Sequence, residues 1–343
     1  MKTKLFFTIA CFLIFACSAI SQNLYYSKID SLKNIVSPLQ IEKYDRELSG
    51  DITTVVGGST VRIISRRSFS PFNQVAAQYI YEKFISFGLS ARYQYNSSTC
   101  VNVIATKTGI KYPNKQYIIC AHYDDYSNNS TDTIPGADDN ASGVCGVLEA
   151  ARLFKNFSSD YTIKFIAFDE EEDWMVGSYA YVDSAYAHGD SIMGVLNLDM
   201  IGHDPLVTNL YNLYTNAASV SLSSSFISAS YIYPIYVLPY EILSETSASD
   251  NLPFWQKGYK ALFAIERTFN YYYHSRQDTY DKLRLSFMTN IVKASVAALG
   301  SWVTDRYLSI LHNPVAAGCD TTAKTLIFKV QCPLKLGTGA NAP

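Results

Sequence analysis

From Asn73 to Phe87 the apolar positions Ala76, Ile80, Phe84 and Phe87 recur at the spacing of one helical face, and Gly88 follows as a stop. The pattern then changes. Five short, almost unbroken apolar runs appear at Val101–Ala105, Tyr117–Ala121, Thr162–Phe168, Ile192–Leu198 and Ala261–Ile265. Runs of that length read as strands buried on both faces. Between the second and third, Ser142 to Phe154 sets Val144, Val147, Leu148 and Ala151 along one side of a helix, and a last helix is predicted over Leu285–Leu311. Strands alternating with helices predict a single α/β domain whose central mixed, largely parallel sheet is flanked by helices. Residues 22–60 read as a lead-in segment packed against a main domain at 61–312. Residues 313–343, rich in Pro, Gly, Thr and Ala with weak periodicity, read as a tail. No internal repeat is found.

The first residues follow a different logic. Lys2 and Lys4 precede the apolar stretch Leu5–Ala16, and Ala19 and Ser21 have the small-residue spacing of a cleavage site before Gln22. Residues 1–21 therefore read as a secretory signal peptide, too short for a membrane span. The rival reading takes Cys17 as a lipid-acceptor cysteine, which Phe15 fits poorly. No later window reads as a transmembrane helix. Export, to the periplasm, cell envelope or medium, takes the net charge from −2 to about −4 by removing the two lysines. It also permits disulfides. Cys319 and Cys332 could close a loop in the tail, whereas Cys120 and Cys145 lie on apolar runs and read as buried small hydrophobes. The absence of C-x-x-C argues against a thiolate metal site or a redox motif.

Composition removes some classes of function. With 48% hydrophobic and 17% charged residues among 343, the chain is not a disordered one. Its slightly negative charge argues against a nucleic-acid partner held by bulk positive charge. Chemistry gathers instead at the ends of the predicted strands, where open α/β sheets bind ligands. His122 and Asp124 follow the second run. Asp169, Glu170, Glu171 and Glu172 follow the third, Asp199 the fourth, and Glu266 then His274 the fifth. So many carboxylates share one sheet edge only if a cation joins them. Imidazole with carboxylate, and no thiolate, is the donor set of a catalytic rather than a structural zinc site.

These residues carry a resemblance. His122-Tyr123-Asp124, Pro135-Gly136-Ala137-Asp138-Asp139-Asn140-Ala141-Ser142-Gly143, Glu171-Glu172 with Gly177-Ser178, Asn197-Leu198-Asp199-Met200, and His274 before Asp278-Thr279 resemble, in order and approximate spacing, the secreted two-zinc aminopeptidases of the bacterial leucyl aminopeptidase type. That family is related to glutaminyl cyclases and glutamate carboxypeptidase. The resemblance runs from about Arg66 to Leu283 and makes 61–312 a zinc peptidase catalytic domain. It implies two Zn2+ per chain, one held by His122 and Asp199 and the other by Glu172 and His274, with Asp138 bridging. It implies Glu171 as general base and Asp124 as the acceptor that orients the His122 ring. The Asp138–Asp139 peptide bond is expected to be cis. Peptides are the implied substrates, and hydrolysis of the N-terminal residue is the implied reaction.

Two departures stand out. Trp174-Met175 replaces the family's usual Gly-Leu, which bears on the loop and the adjacent specificity pocket. Ser249-Asp250-Asn251 replaces Ser-Asp-His. Asp139 and Asn140 can also be read as caps of the helix beginning near Ala141. Tyr271-Tyr272-Tyr273 fits a pocket lining and plain surface equally, and His188, His203 and His312 match nothing. The Tyr- and Phe-rich stretches after Asp199 and before His274 suggest an apolar pocket for the first side chain. Rival readings are a glutaminyl-peptide cyclotransferase with one zinc on the same fold, a carboxypeptidase or dipeptidase of the same family, and a metal-free binding protein. The filled ligand positions disfavour the last.

Overall fold

A computed structural model describes residues 25–128 and 132–305. The leader with Cys17, the tail with Cys319 and Cys332, and His312 lie outside the described residues. Two helices open the chain, α1 (Ser27–Asn34) and α2 (Pro38–Leu48), followed by the small hairpin β1 (Thr54–Val56) and β2 (Ser59–Val61). Ser37 caps α2 by accepting a hydrogen bond from Gln40 N, with Pro38 in the first turn. Helix α3 (Pro71–Ser86) starts the same way, with Ser70 accepting from Phe72 N, and ends at Gly88, whose φ of +79° suits glycine.

The main sheet comprises β3 (Ser90–Tyr95), β4 (Val101–Lys107), β5 (Tyr112–His122), β6 (Tyr161–Phe168), β7 (Ser191–Leu198), β8 (Leu210–Thr215), β9 (Leu238–Leu243) and β10 (Ala261–Glu266). Their order is β3-β4-β6-β5-β7-β10-β8-β9. The central four, β6-β5-β7-β10, run parallel, and antiparallel pairings β3/β4, β4/β6 and β10/β8 lie outside them. The sheet is therefore mixed with a parallel centre, as expected. The remaining helices are α4 (Gly143–Phe154), α5 (Val176–Ala187), α6 (Val220–Ile232), α7 (Asn251–Gln256) and α8 (Leu285–Trp302).

The core has two parts, one on each face of the sheet. The larger packs α3, α4 and α8, with Ile29, Ile41 and Leu48 of the lead-in helices, against Ile119, Phe165 and Leu196. The smaller sets Tyr181, Val182 and Phe254 against Ile118, Ile166 and Val195. Cys100, Cys120 and Cys145 are buried free thiols. Helix α8 is shorter than predicted. After Trp302 the chain turns aside because Val303 O accepts from Asp160 N and Asp305 N donates to the Asp160 carboxylate. Among the described residues no helix is long and apolar enough to cross a membrane.

Candidate metal centre

The carboxyl ends of the four parallel strands meet at one edge, and each delivers a donor there. His122 is the last residue of β5 and lies beside Phe168 of β6 in register. Asp199 follows β7 directly. The Glu171-Glu172 segment leaves β6 on a turn in which Met175 N donates to Glu171 O and Val176 N to Glu170 O. Asp124 grips that turn from across the strand gap. Its two carboxylate oxygens accept from Glu171 N and Glu172 N, each at 3.1 Å. His122 Nδ1 lies 3.3 Å from both the carboxylate and the carbonyl oxygen of Asp124, so one buried residue fixes both the ring and the acidic turn.

The bridging position is a correction. The sequence reading assigns it to Asp138, but the structure turns Asp138 away: its Oδ1 accepts from Gly202 N and its Oδ2 from Asn270 Nδ2, each at 2.9 Å. Asp139 faces the site, with Oδ1 3.3 Å from His122 Nε2 and Oδ2 3.3 Å from His274 Nε2. The cis peptide is likewise one residue on, at Asp139–Asn140. The cause is the irregular turn Ala137–Ser142, in which neighbouring side chains do not follow a helical or strand period. Asp278 pins its start, accepting from Asp138 N and Asp139 N. Asn140 and Ser142 tie it to the end of β7: Asn140 Nδ2 donates to Leu198 O, and Ser142 Oγ accepts from Ile201 N. Asn140 Oδ1 also accepts from Gly143 N, so of the two expected caps only Asn140 acts as one.

Two donor groups result, His122–Asp139–Asp199 and Asp139–Glu172–His274, each with its donor atoms within 4.8 Å of one another. His274 Nε2 is 2.8 Å from Glu172 Oε2, and His122 Nε2 is 3.3 Å from Asp199 Oδ1. Glu171 belongs to neither group and stands 4.0 Å from His122 Nε2. The electrostatics favour a cation. Burial pushes the Glu171 carboxyl well up, with Asp199, Asp250 and Glu172 adding to that push and His122 opposing it. Burial and the Asp139 charge raise Glu172 in the same way. Burial disfavours charge on His122, but Asp199 and Glu171 outweigh it and hold the ring well above its ordinary value. Burial also disfavours charge on Asp139, yet bonds to His122 and His274 hold its carboxyl below the ordinary range. Asp139 thus turns Oδ1 toward the His122 ring and Oδ2 toward the His274 ring. A buried carboxylate that offers one oxygen beside each of two imidazoles suits divalent metal ions, whose charge would relieve the crowding.

The sequence reading gives no role to several supports. Ser249 donates to Asp199 Oδ2 at 2.6 Å and is itself held by Asn197. Arg66, fully buried, donates to Leu48 O, Tyr123 O, Pro135 O and Gly136 O, joining the lead-in helix to the turn that carries Asp139. Four of its partners are main-chain carbonyls, which leave no sequence signature, and the buried Asp125 carboxylate lies 3.5 Å from its guanidinium. The tyrosine run divides. Tyr271 is exposed, Tyr272 is half-buried with its ring near His203, and Tyr273 stacks on His274 with centroids 3.5 Å apart. Tyr273 lines a cleft of about 210 Å³ with the donors and with Met200, Phe263, Ile265 and Phe269.

The chain resembles known proteins. It is 36% identical over 104 residues to a probable zinc metalloprotease of Pyrenophora teres, covering 29% of this chain and 22% of that protein. It is 32% identical over 215 residues to aminopeptidase YwaD of Bacillus subtilis, covering 59% of this chain and 45% of that one. The chain thus spans less than half the length of these relatives. LapB of Legionella pneumophila has the same fold, with a TM-score of 0.71 at 21% identity over 82% of this chain and 76% of that one. The model of peptidase family M28 matches residues 102–299, more than half of the sequence, and the chain belongs to that family.

Proposed function

We propose that the protein is an exported aminopeptidase with two co-catalytic zinc ions, one at each donor group. The observation that carries this reading is the pair of three-residue groups joined through Asp139. When bound, zinc supplies Lewis acidity toward the scissile carbonyl and toward water. Glu171, raised by burial and outside both groups, accepts the proton of the attacking water and returns it to the leaving amine. Asp124 holds Glu171, Glu172 and His122 in register through the bonds described above. Burial and the surrounding carboxylates keep the Tyr273 phenol protonated, which makes it a neutral donor toward charge developing in the cleft. Met200, Phe263 and Ile265 offer an apolar wall to the first side chain. Export is supported by Lys2, Lys4 and the apolar stretch that follows.

The test joins zinc analysis to a substrate panel. Leucyl peptides should be cleaved from the N-terminus, N-acetylated ones spared, and activity lost to a strong chelator and restored by zinc. Full activity in a verified metal-free preparation refutes the reading. So does cyclisation of a glutaminyl peptide by a one-zinc protein, or release of C-terminal residues.

A further inference from the structure

Two of the most exposed large apolar side chains in the molecule share an uncommon backbone conformation. Trp174 is 85% exposed with φ of +72°, and Phe69 is 81% exposed with φ of +67°. Met175, next to Trp174, also has a left-handed φ of +60°. Bulky residues adopt this region rarely and at a cost, and keep it where the surroundings impose it. The surroundings here do. On one side of Trp174, Asp124 fixes Glu171 N and Glu172 N; on the other, Met175 N, Val176 N and Gly177 N donate to Glu171 O, Glu170 O and Asp169 O. Phe69 lies within a turn closed by Ser70 N donating to Arg67 O. The residues immediately preceding the two aromatics are bonded to each other, Ser68 Oγ donating to Asp173 Oδ2 at 2.6 Å. The two rings therefore issue from adjoining points, and one of them sits two residues beyond Glu172.

Single exposed apolar residues need no explanation. A strained pair fastened to the segment that carries the general base and a metal ligand does. The cleft beside the donors has the room of one large side chain, and neither Trp174 nor Phe69 lines it. An exopeptidase that seats the N-terminal residue there has substrate left on one side only, beyond the scissile bond. We propose that Trp174 and Phe69 form an apolar platform for the second residue of the peptide, giving a preference for large apolar side chains at that position. This rests on the aminopeptidase reading. Trp174 stands where the resembling family carries glycine, so the platform is a property of this chain.

The experiment compares kcat/KM of the zinc-loaded protein for Leu-Phe-amide, Leu-Gly-amide and Ala-Phe-amide. The wild type should favour Leu-Phe-amide over Leu-Gly-amide by about three- to tenfold, the range of one exposed aromatic contact. In Trp174→Gly and in Phe69→Ala that ratio should fall toward one, while the Leu-Phe to Ala-Phe ratio stays as it was. Glycine takes a φ of +72° freely, so Trp174→Gly should melt no lower than wild type, which separates lost recognition from lost folding. Trp174 is the exposed one of three tryptophans, Trp255 and Trp302 being buried. A leucyl-phenylalanine analogue with a reduced, uncleavable bond should therefore shift the emission of the wild type to the blue and leave Trp174→Gly unmoved. Cleavage with no preference in the wild type, or a preference that survives both substitutions, overturns the proposal. An unchanged ratio with loss of self-association in Trp174→Gly overturns it in favour of a contact between copies. If none of the peptides is cleaved, the aminopeptidase reading falls and the platform with it.

Discussion

Replacing Asp139 and Asp138 separately by asparagine distinguishes the bridging residue from its neighbour. Asp139 is the one carboxylate common to both donor groups, with one oxygen 3.3 Å from each imidazole Nε2. Its loss would lower the charge of both donor groups. Disturbing a residue that merely supports a ligand costs 10–100-fold in affinity, so removing the shared ligand should cost about 100-fold or more per site, or ~2.7 kcal/mol each. At a buffered free zinc that saturates the wild type, Asp139→Asn should hold well under one zinc per chain and lose nearly all activity. Asp138 contributes differently. Its two acceptor bonds, to Gly202 N and Asn270 Nδ2, cannot both be kept by one amide oxygen. Asp138→Asn should therefore lose about 1–3 kcal/mol of stability, keep both zinc ions, and retain kcat within about tenfold. Metal content by mass spectrometry, thermal unfolding and leucyl-peptide kinetics on the two variants decide the matter. Loss of a zinc from Asp138→Asn with both retained by Asp139→Asn would refute the geometry argued above.

Glu171→Gln should keep both zinc ions and lose roughly 10²–10⁴-fold in kcat with a smaller change in KM, whereas Glu172→Gln should weaken one zinc and recover partly in excess metal. The reverse outcome would make Glu170 the candidate base. Asp204 is a third target. Burial works against its charge, but bonds from Asn209 N, Thr208 N and the Thr208 hydroxyl, with the Arg284 charge, hold its carboxyl below the ordinary value. A depressed carboxyl stabilises above its unfolded pKa and ceases to as pH falls through the folded one. Asp204→Asn should thus cost about 1–2 kcal/mol near pH 7, and the gap from wild type should close below about pH 4 in denaturant titrations. A constant gap would count against it. Finally, Cys319 and Cys332 should be disulfide-bonded in exported protein, and peptide mapping that finds both as free thiols removes that expectation.

The strands legible in the sequence were those buried on both faces. Between them Ile118, Ile119, Ile163, Phe165, Ile166, Val195, Leu196 and Leu262 leave no polar face to blur the pattern. Strands β3, β8 and β9 escaped notice because alternate or most positions are open to solvent, so that SARYQY and LPYEIL resemble loop. Helices α5 and α6 mix Tyr, Ser and Ala around their circumference, which weakens any helical stripe. Of the residues read as a site, His122, Glu172, Asp199 and His274 fall in the two donor groups, and Asp139 stands there in place of Asp138. Glu171 and Glu172 leave β6 on one short turn, but the Asp138-Asp139 pair sits in a turn whose backbone is set by Asp278, Asn140 and Ser142. Only those tertiary bonds decide which carboxylate turns inward.

Arg66 bears on how this chain could be altered by exchange of parts. The family match begins at residue 102, yet the guanidinium that grips Pro135 and Gly136 also holds Leu48 at the end of α2. The first helices are therefore tethered to the turn that presents Asp139, rather than forming a detachable extension. Trimming or grafting at the boundary of the family motif would sever that tether and leave two peptide carbonyls of the turn without their donor, buried and uncompensated. Chimeras of this chain should be joined upstream of α2, so that Leu48, Arg66 and the Asp139 turn are inherited together.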